Sequence, residues 1–405
     1  MAQRGLSIFF ENFLKKQSLF ANKKAIQTTY MPESISHRDS QIQQLANILA
    51  PSLKLETPSN VFVYGKTGTG KTLCVKYVSE QISQVAKKQE IPVKILYINC
   101  KMKKIADTEY RLIAQLAREF GKAIPATGLP TDEVYKAFFN AIDGQRQSVI
   151  IVLDEIDQLI KKSGDEILYN LTRANSEFNN SHISIVGISN DLLFADNLDP
   201  RIKSSLSEEE VTFAPYNAVQ LQQILKQRGK EAFKENVLGE GTIEKCSAFA
   251  AWEHGDARRA LDLLRVAGEV AEREGSQTVE ITHVDQAEEK LEKERVLEIT
   301  ATQPRQTQTL LYSIVALSPK ENQTIFTGEV YEIYKKLCFK TNIRPLTIRR
   351  ISDIIAELDM QGIISTRTIS KGRYGRTREI SLSIPHHLKG NMEKLLKEAL
   401  EIQDG

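Results

Sequence analysis

YGKTGTGKT, residues 64–72, follows the β-rich run VFVY (61–64) and leads into a helical pattern. It contains G-x-x-x-x-G-K-[ST] as Gly65, Gly70, Lys71 and Thr72. Glycines there let backbone N–H groups turn inward around phosphate oxygens, and the following helix directs its positive end at the same place. Lys71 is expected at the β and γ phosphates, Thr72 on Mg2+, and Lys66, Thr67, Gly68, Thr69 and Leu73 in the same nucleotide-binding set. A strand, a loop and a helix falling in that order make a phosphate cradle more economical than an unspecialised glycine-rich turn.

Outward from the cradle, residues 60–213 alternate short β-rich runs with longer helical patterns, which predicts βαβ units around a parallel sheet. The strand candidates are VFVY, KILYI (94–98), VIIVL (149–153), ISIVGI (183–188) and EVTF (210–213). Most are apolar throughout, as strands covered on both faces are. The third ends in Asp154 and Glu155, placing Asp154 to hold the metal, directly or through water, and Glu155 to orient and deprotonate a water. For Asp157, helix capping and a site role stay open. Asn190 closes the fourth strand, where an amide could position water near a γ-phosphate. Arg201, in LDPRIKSSL (198–206), and Arg258, in GDARRALDLLR (255–265), offer charge to that phosphate from two further sides, although a surface ion pair is the commoner use of either alone.

After Pro215 helical patterns occupy 218–233, 243–253, 257–274 and 284–299, with capping-box spacing in THVD (282–285) for the last. The charged AEEKLEKERVLE (287–298) reads as a solvated helix in preference to a coiled coil. TATQPRQT (300–307) reads as a hinge into three more helices and two strands, IISTRTI (363–369) and REISLSI (378–384). In the second, Ile380, Leu382 and Ile384 alternate with polar residues, so one face packs. Three helices and a hairpin make a winged helix. The expected domains are 1–215, 216–302 and 303–405.

The 405 residues carry a net charge of only +2. Residues 301–405 hold 16 Lys and Arg against 11 Asp and Glu, leaving the first 300 residues net negative. The hairpin turn SKGRYGRTR (370–378) concentrates Lys371, Arg373, Arg376 and Arg378 around Gly372, Tyr374 and Gly375 without an acid. The third helix opens with Arg344, Thr347, Arg349 and Arg350. In a winged helix that helix enters the major groove and the hairpin tip lies on backbone or minor groove, so both sets are DNA-binding candidates. A solvated hairpin or a protein contact is the competing reading.

Cys74, Cys100, Cys246 and Cys338 are far apart with no C-x-x-C spacing, arguing against a disulfide framework and a zinc site. MAQRGLSIFFENFLKK (1–16) lacks a secretory hydrophobic region, and no aliphatic run is long enough to span a bilayer, so a cytoplasmic, nucleoid-associated chain with no membrane partner is expected. Phe9, Phe10 and Phe13 fit an amphipathic helix; Phe233, Phe249 and Trp252 are expected in the helical core, and His386 and His387 at the surface.

Taken in order, these segments resemble the AAA+ ATPases: Walker A at Gly65 to Thr72, Walker B at Asp154 and Glu155, sensor 1 at Asn190, an arginine finger at Arg201 and sensor 2 at Arg258. SHRDSQIQQL (36–45), YINC (97–100), FAPYNAVQLQQILKQR (213–228), GDARRALDLLRVAGEVAERE (255–274) and the terminal winged helix look like the archaeal replication initiators related to the origin recognition complex and its cell-division-control relative. The resemblance runs over about residues 32–388, with Asp39 where the family more often has Glu. It implies an α/β fold comprising an AAA+ P-loop core with a parallel five-stranded sheet, a helical lid and a C-terminal winged helix. It implies that Tyr216 and Arg228 lie at the adenine nucleotide, that Arg201 reaches a neighbouring subunit's ATP, and that a DNA-touching insertion falls near KAIPATGLPTDE (122–133). The implied function is a replication initiator and slow ATPase. ATP or ADP with Mg2+ would switch its state on double-stranded origin DNA, in company with other initiator subunits and a recruited replicative helicase. A clamp-loader or motor subunit, which would end in a helical collar, and an ATP-regulated transcription factor are the alternatives.

Overall fold

The computed structural model describes residues 18–101, 108–125, 127–206, 209–318, 325–370 and 376–402. Lys371, Gly372, Arg373 and Tyr374 of the hairpin tip, and Phe9, Phe10 and Phe13, lie outside the described residues. The chain divides into two compact units, Met1–Val284 and Asp285–Gly405.

The first unit is built on five parallel strands, β1 Val61–Gly65, β2 Val93–Asn99, β3 Gln147–Asp154, β4 Ser181–Ser189 and β5 Glu209–Phe213, in the order β2-β3-β4-β1-β5. Each expected strand forms. The continuous apolar runs have a visible cause: Ile151 and Leu153 pack into one hydrophobic cluster with Phe62 and Tyr64, while Ile150 and Val152 pack into another with Val61 and Val63. Alternate side chains leave opposite faces of a strand, so two buried faces require apolar residues at every position. Helices α1 Asp39–Leu49, α2 Lys71–Lys88, α3 Glu109–Glu119, α4 Thr131–Ile142, α5 Ile156–Ser163, α6 Glu166–Arg173 and α7 Pro200–Leu206 belong to this layer structure. The carboxyl ends of β1, β3 and β4 open at the same edge of the sheet, where α/β proteins place their ligands.

Beyond β5 come α8 Ala218–Ala232, α9 Thr242–Trp252, α10 Ala257–Glu274 and α11 Ile281–Thr302. Asn217 caps α8 through a capping box with Gln220. The box expected at Thr282 does not form: α11 starts at Ile281, and the backbone N–H of Glu280 donates to Nδ1 of His283 at 2.8 Å instead. The apolar position at 281 enters the first turn, so Thr282 is already inside the helix. Trp252 also departs from expectation. It is the last residue of α9 and 86% exposed, whereas Phe233 is buried against Phe20 with ring centroids 4.5 Å apart. The bridge between Phe20 and Phe233 brings an N-terminal residue to fill the place that lid aromatics were expected to share.

The second unit contains α12 Arg305–Leu317, β6 Ile325–Phe326, α13 Thr327–Lys340, α14 Ile348–Met360, β7 Ile364–Ser370, β8 Arg376–Leu382 and α15 His386–Leu400. β7 and β8 pair antiparallel from Ile364 with Leu382 to Ser370 with Arg376, the expected hairpin. The two-residue β6 adds a third strand on the other side of β8, and α15 packs Leu388, Met392 and Leu396 into the unit's core; neither was foreseen. Ile380 and Ile384 are buried as their alternation required. His387 is exposed and pairs with Glu289 at 3.2 Å. Among the described residues no helix is long and apolar enough to cross a membrane.

Candidate nucleotide site and winged-helix face

A cavity of about 460 Å3 opens at the sheet edge, lined by Gly68 to Leu73 of the cradle, by Tyr97, Asp154, Glu155 and Asn190, and by Tyr216, Arg228 and Arg258 from beyond β5. Nearly all the expected nucleotide residues therefore meet at one place. Gly65, Lys66 and Thr67 do not line it. Gly65 and Lys66 act through their carbonyls, which accept from Lys71 Nζ at 2.6 and 2.8 Å.

The third donor direction of that ammonium goes to Asn190 Oδ1 at 2.8 Å. Burial holds the Lys71 amine well below its ordinary value, at about 8, and the nearby Arg258 cation acts the same way against the opposing Asp154, Asp157 and Asp256. An anion entering this cavity meets a partly desolvated ammonium whose three donors are held by Gly65, Lys66 and Asn190, one of which it must replace, beside the first turn of α2, whose N-cap is Gly70.

Gly68 has φ +73 and an added Cβ would lie 1.7 Å from Asp256 Oδ1. Asp256 is the N-cap of α10, accepting from the Arg258 N–H at 2.7 Å, and Ala257 N–H reaches the Gly68 carbonyl at 3.2 Å. The loop and the lid helix touch backbone to backbone, which only glycine allows here.

Thr72 Oγ1 donates to Asp154 Oδ2 at 3.0 Å, and the Glu155 backbone N–H donates to Asp154 Oδ1 at 3.0 Å. A hydroxyl beside a carboxylate is the hard-oxygen pair that Mg2+ takes while keeping waters and phosphate oxygens as its other ligands. Glu155 stands at φ 54, ψ 44, a left-handed conformation unusual for a side-chain-bearing residue, and pairs with Lys101 at 3.7 Å. Asp157, the residue left open, is buried in the first turn of α5, takes the Ser189 hydroxyl at 3.3 Å and does not line the cavity. Its role is to hold α5 against the end of β4.

Several residues that shape the site were not singled out from the sequence. Arg38, buried at 4% exposure, donates Nε to the Thr69 carbonyl at 3.0 Å and Nη2 to the Ala214 carbonyl at 2.6 Å. Its guanidinium lies 3.9 Å from the Tyr216 ring centroid. One side chain thus ties the cradle to the start of the lid. The segment 28–36 forms a further wall of the cavity, with Arg228 over the Tyr30 ring at 4.8 Å and donating to the Gln27 carbonyl at 2.7 Å. The phrase SHRDSQIQQL was the available signal, but nothing in its spacing says where Arg38 points.

Arg201 stays apart from the cavity: it is exposed and its guanidinium donates to Asp199 at 3.1 and 3.0 Å. In the last turn of α3, Arg118 donates twice to the Ile124 carbonyl at 3.1 and 3.0 Å. Burial pushes the Cys74 and Cys100 thiols up to about 12, so they stay protonated at neutral pH.

On the winged helix, Arg344, Arg349 and Arg350 are exposed. Thr347 is the N-cap of α14, accepting from the Arg350 N–H at 3.4 Å, and the Arg350 side chain pairs with Asp353 at 3.7 Å and Glu357 at 3.8 Å. Arg378 is half-buried and donates to the Ser352 carbonyl at 2.8 Å, bracing β8 against α14. Arg376 opens β8. Arg344, Arg349 and Arg350 cluster near the leading end of α14, where Thr347 also caps the helix and Arg378 also braces β8.

The comparisons agree with this architecture. An AAA domain model matches residues 54–189, the Cdc6 AAA+ ATPase-type lid domain 222–289, and the CDC6 C-terminal winged helix domain 298–388. The chain is 54% identical over 386 residues to the ORC1-type DNA replication protein of Pyrococcus abyssi, covering 94% of this chain and 91% of that one. It is 50% identical over 397 residues to ORC1-type DNA replication protein 1 of Methanosarcina mazei, covering 98% and 94%. The solved structure of the Aeropyrum pernix ORC1 protein in complex with DNA matches with a TM-score of 0.83 at 42% identity, over 95% of this chain and 98% of that one. With the AAA core, the Cdc6-type lid and the winged helix each matched in order, the chain belongs to the ORC1-type family of archaeal DNA replication initiators.

Proposed function

We propose that the protein is an ATP-controlled initiator that grips duplex origin DNA and uses nucleotide state as a switch. The observation that carries the reading is the convergence of Lys71, Asp154 and Asn190 with Tyr216, Arg228 and Arg258 on one cavity. Lys71 and the α2 amides bind the phosphates, and Arg258 adds a second cation at the mouth. Glu155 accepts the proton of the attacking water and Asn190 orients that water. Thr72 and Asp154 would hold Mg2+, which would supply charge neutralisation for the phosphates. Tyr216, Arg228 and the 28–36 segment enclose the base.

Turnover is slow, because a switch works by keeping its ligand, and ADP stays bound after hydrolysis. Arg201, paired with Asp199, completes the site of a neighbouring initiator subunit. Arg344, Arg349 and Arg350 meet DNA in the major groove, with Lys371, Gly372, Arg373, Tyr374 and Arg376 on the wing and the 122–133 loop as a further contact. That the Aeropyrum pernix ORC1 protein, 42% identical, was solved in complex with DNA supports DNA as the ligand. Recruitment of the replicative helicase follows on the DNA-bound state. The β7–β8 hairpin favours this reading over a clamp loader.

The test is a footprint on genomic DNA with ATP, with ADP and with an Arg349→Ala, Arg350→Ala variant. Protection of one or a few origin-like sites, lost in the variant and altered by nucleotide, is the expected result. Occupancy of many promoters, or no preference over random competitor, overturns it.

A further inference from the structure

Asp154 carries more than its Thr72 partner. Its Oδ2 also accepts a hydrogen bond from the Tyr97 phenol. Tyr97 sits on β2, an edge strand of the sheet, two residues before Asn99, which lies opposite Asp154 in the β2–β3 register. The ring reaches across that register to the cavity and is 39% exposed. Lys76, one turn along α2 from Thr72, places its ammonium 4.2 Å from the ring centroid. The carboxylate is therefore held from three places: the Glu155 amide at the N-cap of α5 on Oδ1, and the α2 and β2 hydroxyls on Oδ2.

A carboxylate has about four lone-pair sites, and these three donors fix its plane while leaving acceptor capacity on Oδ1. Ligands whose outer partners are fixed present themselves to a metal without first losing rotational freedom.

We propose that Tyr97 is a positioning residue for the metal-binding carboxylate, pinned in turn by Lys76. It sets Asp154 so that divalent metal and nucleotide bind cooperatively. The inference rests on the nucleotide-site reading above. Tyr97→Phe keeps the ring on its partly exposed edge and removes only the donor; Lys76→Met keeps the donor and frees the ring.

The experiment titrates MgCl2 against the affinity of full-length protein for a fluorescent ADP, for wild type and both variants, with thermal unfolding of each nucleotide-free protein alongside. For Tyr97→Phe the Mg2+ midpoint is expected to rise about tenfold, while affinity in EDTA and the unfolding midpoint stay at wild-type values. Lys76→Met shifts the midpoint in the same direction by less. An unchanged or lowered midpoint in Tyr97→Phe overturns the proposal. An equal loss of affinity with and without Mg2+ also overturns it, since the ring would then serve the pocket and not the carboxylate. Wild type that binds no nucleotide under either condition would instead sink the parent reading, and this inference with it; the wild-type titration alone reveals that.

Discussion

Lys71 Nζ donates to Asn190 Oδ1 at 2.8 Å, so the ammonium at the start of α2 is fastened to the carboxyl end of β4. The ammonium proposed to bind phosphate and the amide proposed to orient the attacking water are thereby set by one contact.

Separating binding from hydrolysis follows from that arrangement. Glu155→Gln should retain nucleotide near wild-type affinity and lower single-turnover hydrolysis by about 10²–10⁴, the usual contribution of a general base. Asn190→Ala should lower hydrolysis and also weaken binding, because it releases Lys71. Rapid-quench hydrolysis beside equilibrium binding checks both, and wild-type turnover in Glu155→Gln would remove Glu155 from the chemistry.

The depressed Lys71 amine gives two opposite pH trends. Unfolded, it titrates near its ordinary 10.5; folded and ligand-free, near about 8. Between those values the unfolded chain holds more protons, so this group makes the ligand-free protein more stable as pH rises through the window. Phosphate requires the ammonium, so nucleotide affinity should fall as pH climbs above about 8, by up to about tenfold per unit. Affinity measured from about pH 7 to 10 decides it, a flat profile being the adverse result.

Arg38 is buried and holds two carbonyls, on Thr69 and Ala214. Arg38→Ala should destabilise the first unit by about 2–4 kcal/mol, leaving both acceptors unpaired and a void under Tyr216. Urea titration reads the loss. A change under about 0.5 kcal/mol would mean water replaces the guanidinium at no cost.

Gly68→Ala forces a Cβ into Asp256 and a left-handed backbone on alanine. We expect at least a tenfold loss of nucleotide affinity together with a lower melting temperature. Pairing it with Asp256→Ala relieves the clash, so the double variant should be less destabilised than the sum of the two singles. Strict additivity would show that the lid helix simply moves aside.

Arg344, just before α14, and the α14 arginines Arg349 and Arg350 should act on DNA through phosphate. Replacing Arg344, Arg349 and Arg350 by alanine should make the slope of log K against log salt shallower by about 2 to 3. Arg378→Ala, which unbraces the wing from Ser352, should lower stability more than it changes that slope. Fluorescence anisotropy at several salt concentrations separates the two, and equal slopes in wild type and triple variant would take α14 off the DNA.

Much of the site was legible because its motifs are local. The cradle requires glycine, lysine and threonine at fixed offsets along one strand-loop-helix, and Asp154 and Glu155 end a run of buried strand. Arg38 and Tyr97 were quoted within family phrases yet had no assigned role, because their partners are distant in sequence: Thr69 and Ala214 for one, Asp154 for the other. Trp252 misled because its place at the end of α9, and hence its exposure, depends on where neighbouring helices stop.

The amino-acid order alone determined the five strands, the glycine-rich loop after β1, the sequence of core, lid and winged helix, and fewer than half of the residues that line the cavity, since periodicity and turn chemistry are properties of neighbours along the chain. Tertiary structure decided which cations face the cavity and which serve the scaffold. Arg258 lines the cavity, while Arg201 is turned to Asp199, Arg378 to Ser352, and Arg38 braces the loop from beneath. Those choices follow from side-chain direction and from which carbonyl or carboxylate lies within a hydrogen bond's reach, and these exist only once the elements have packed.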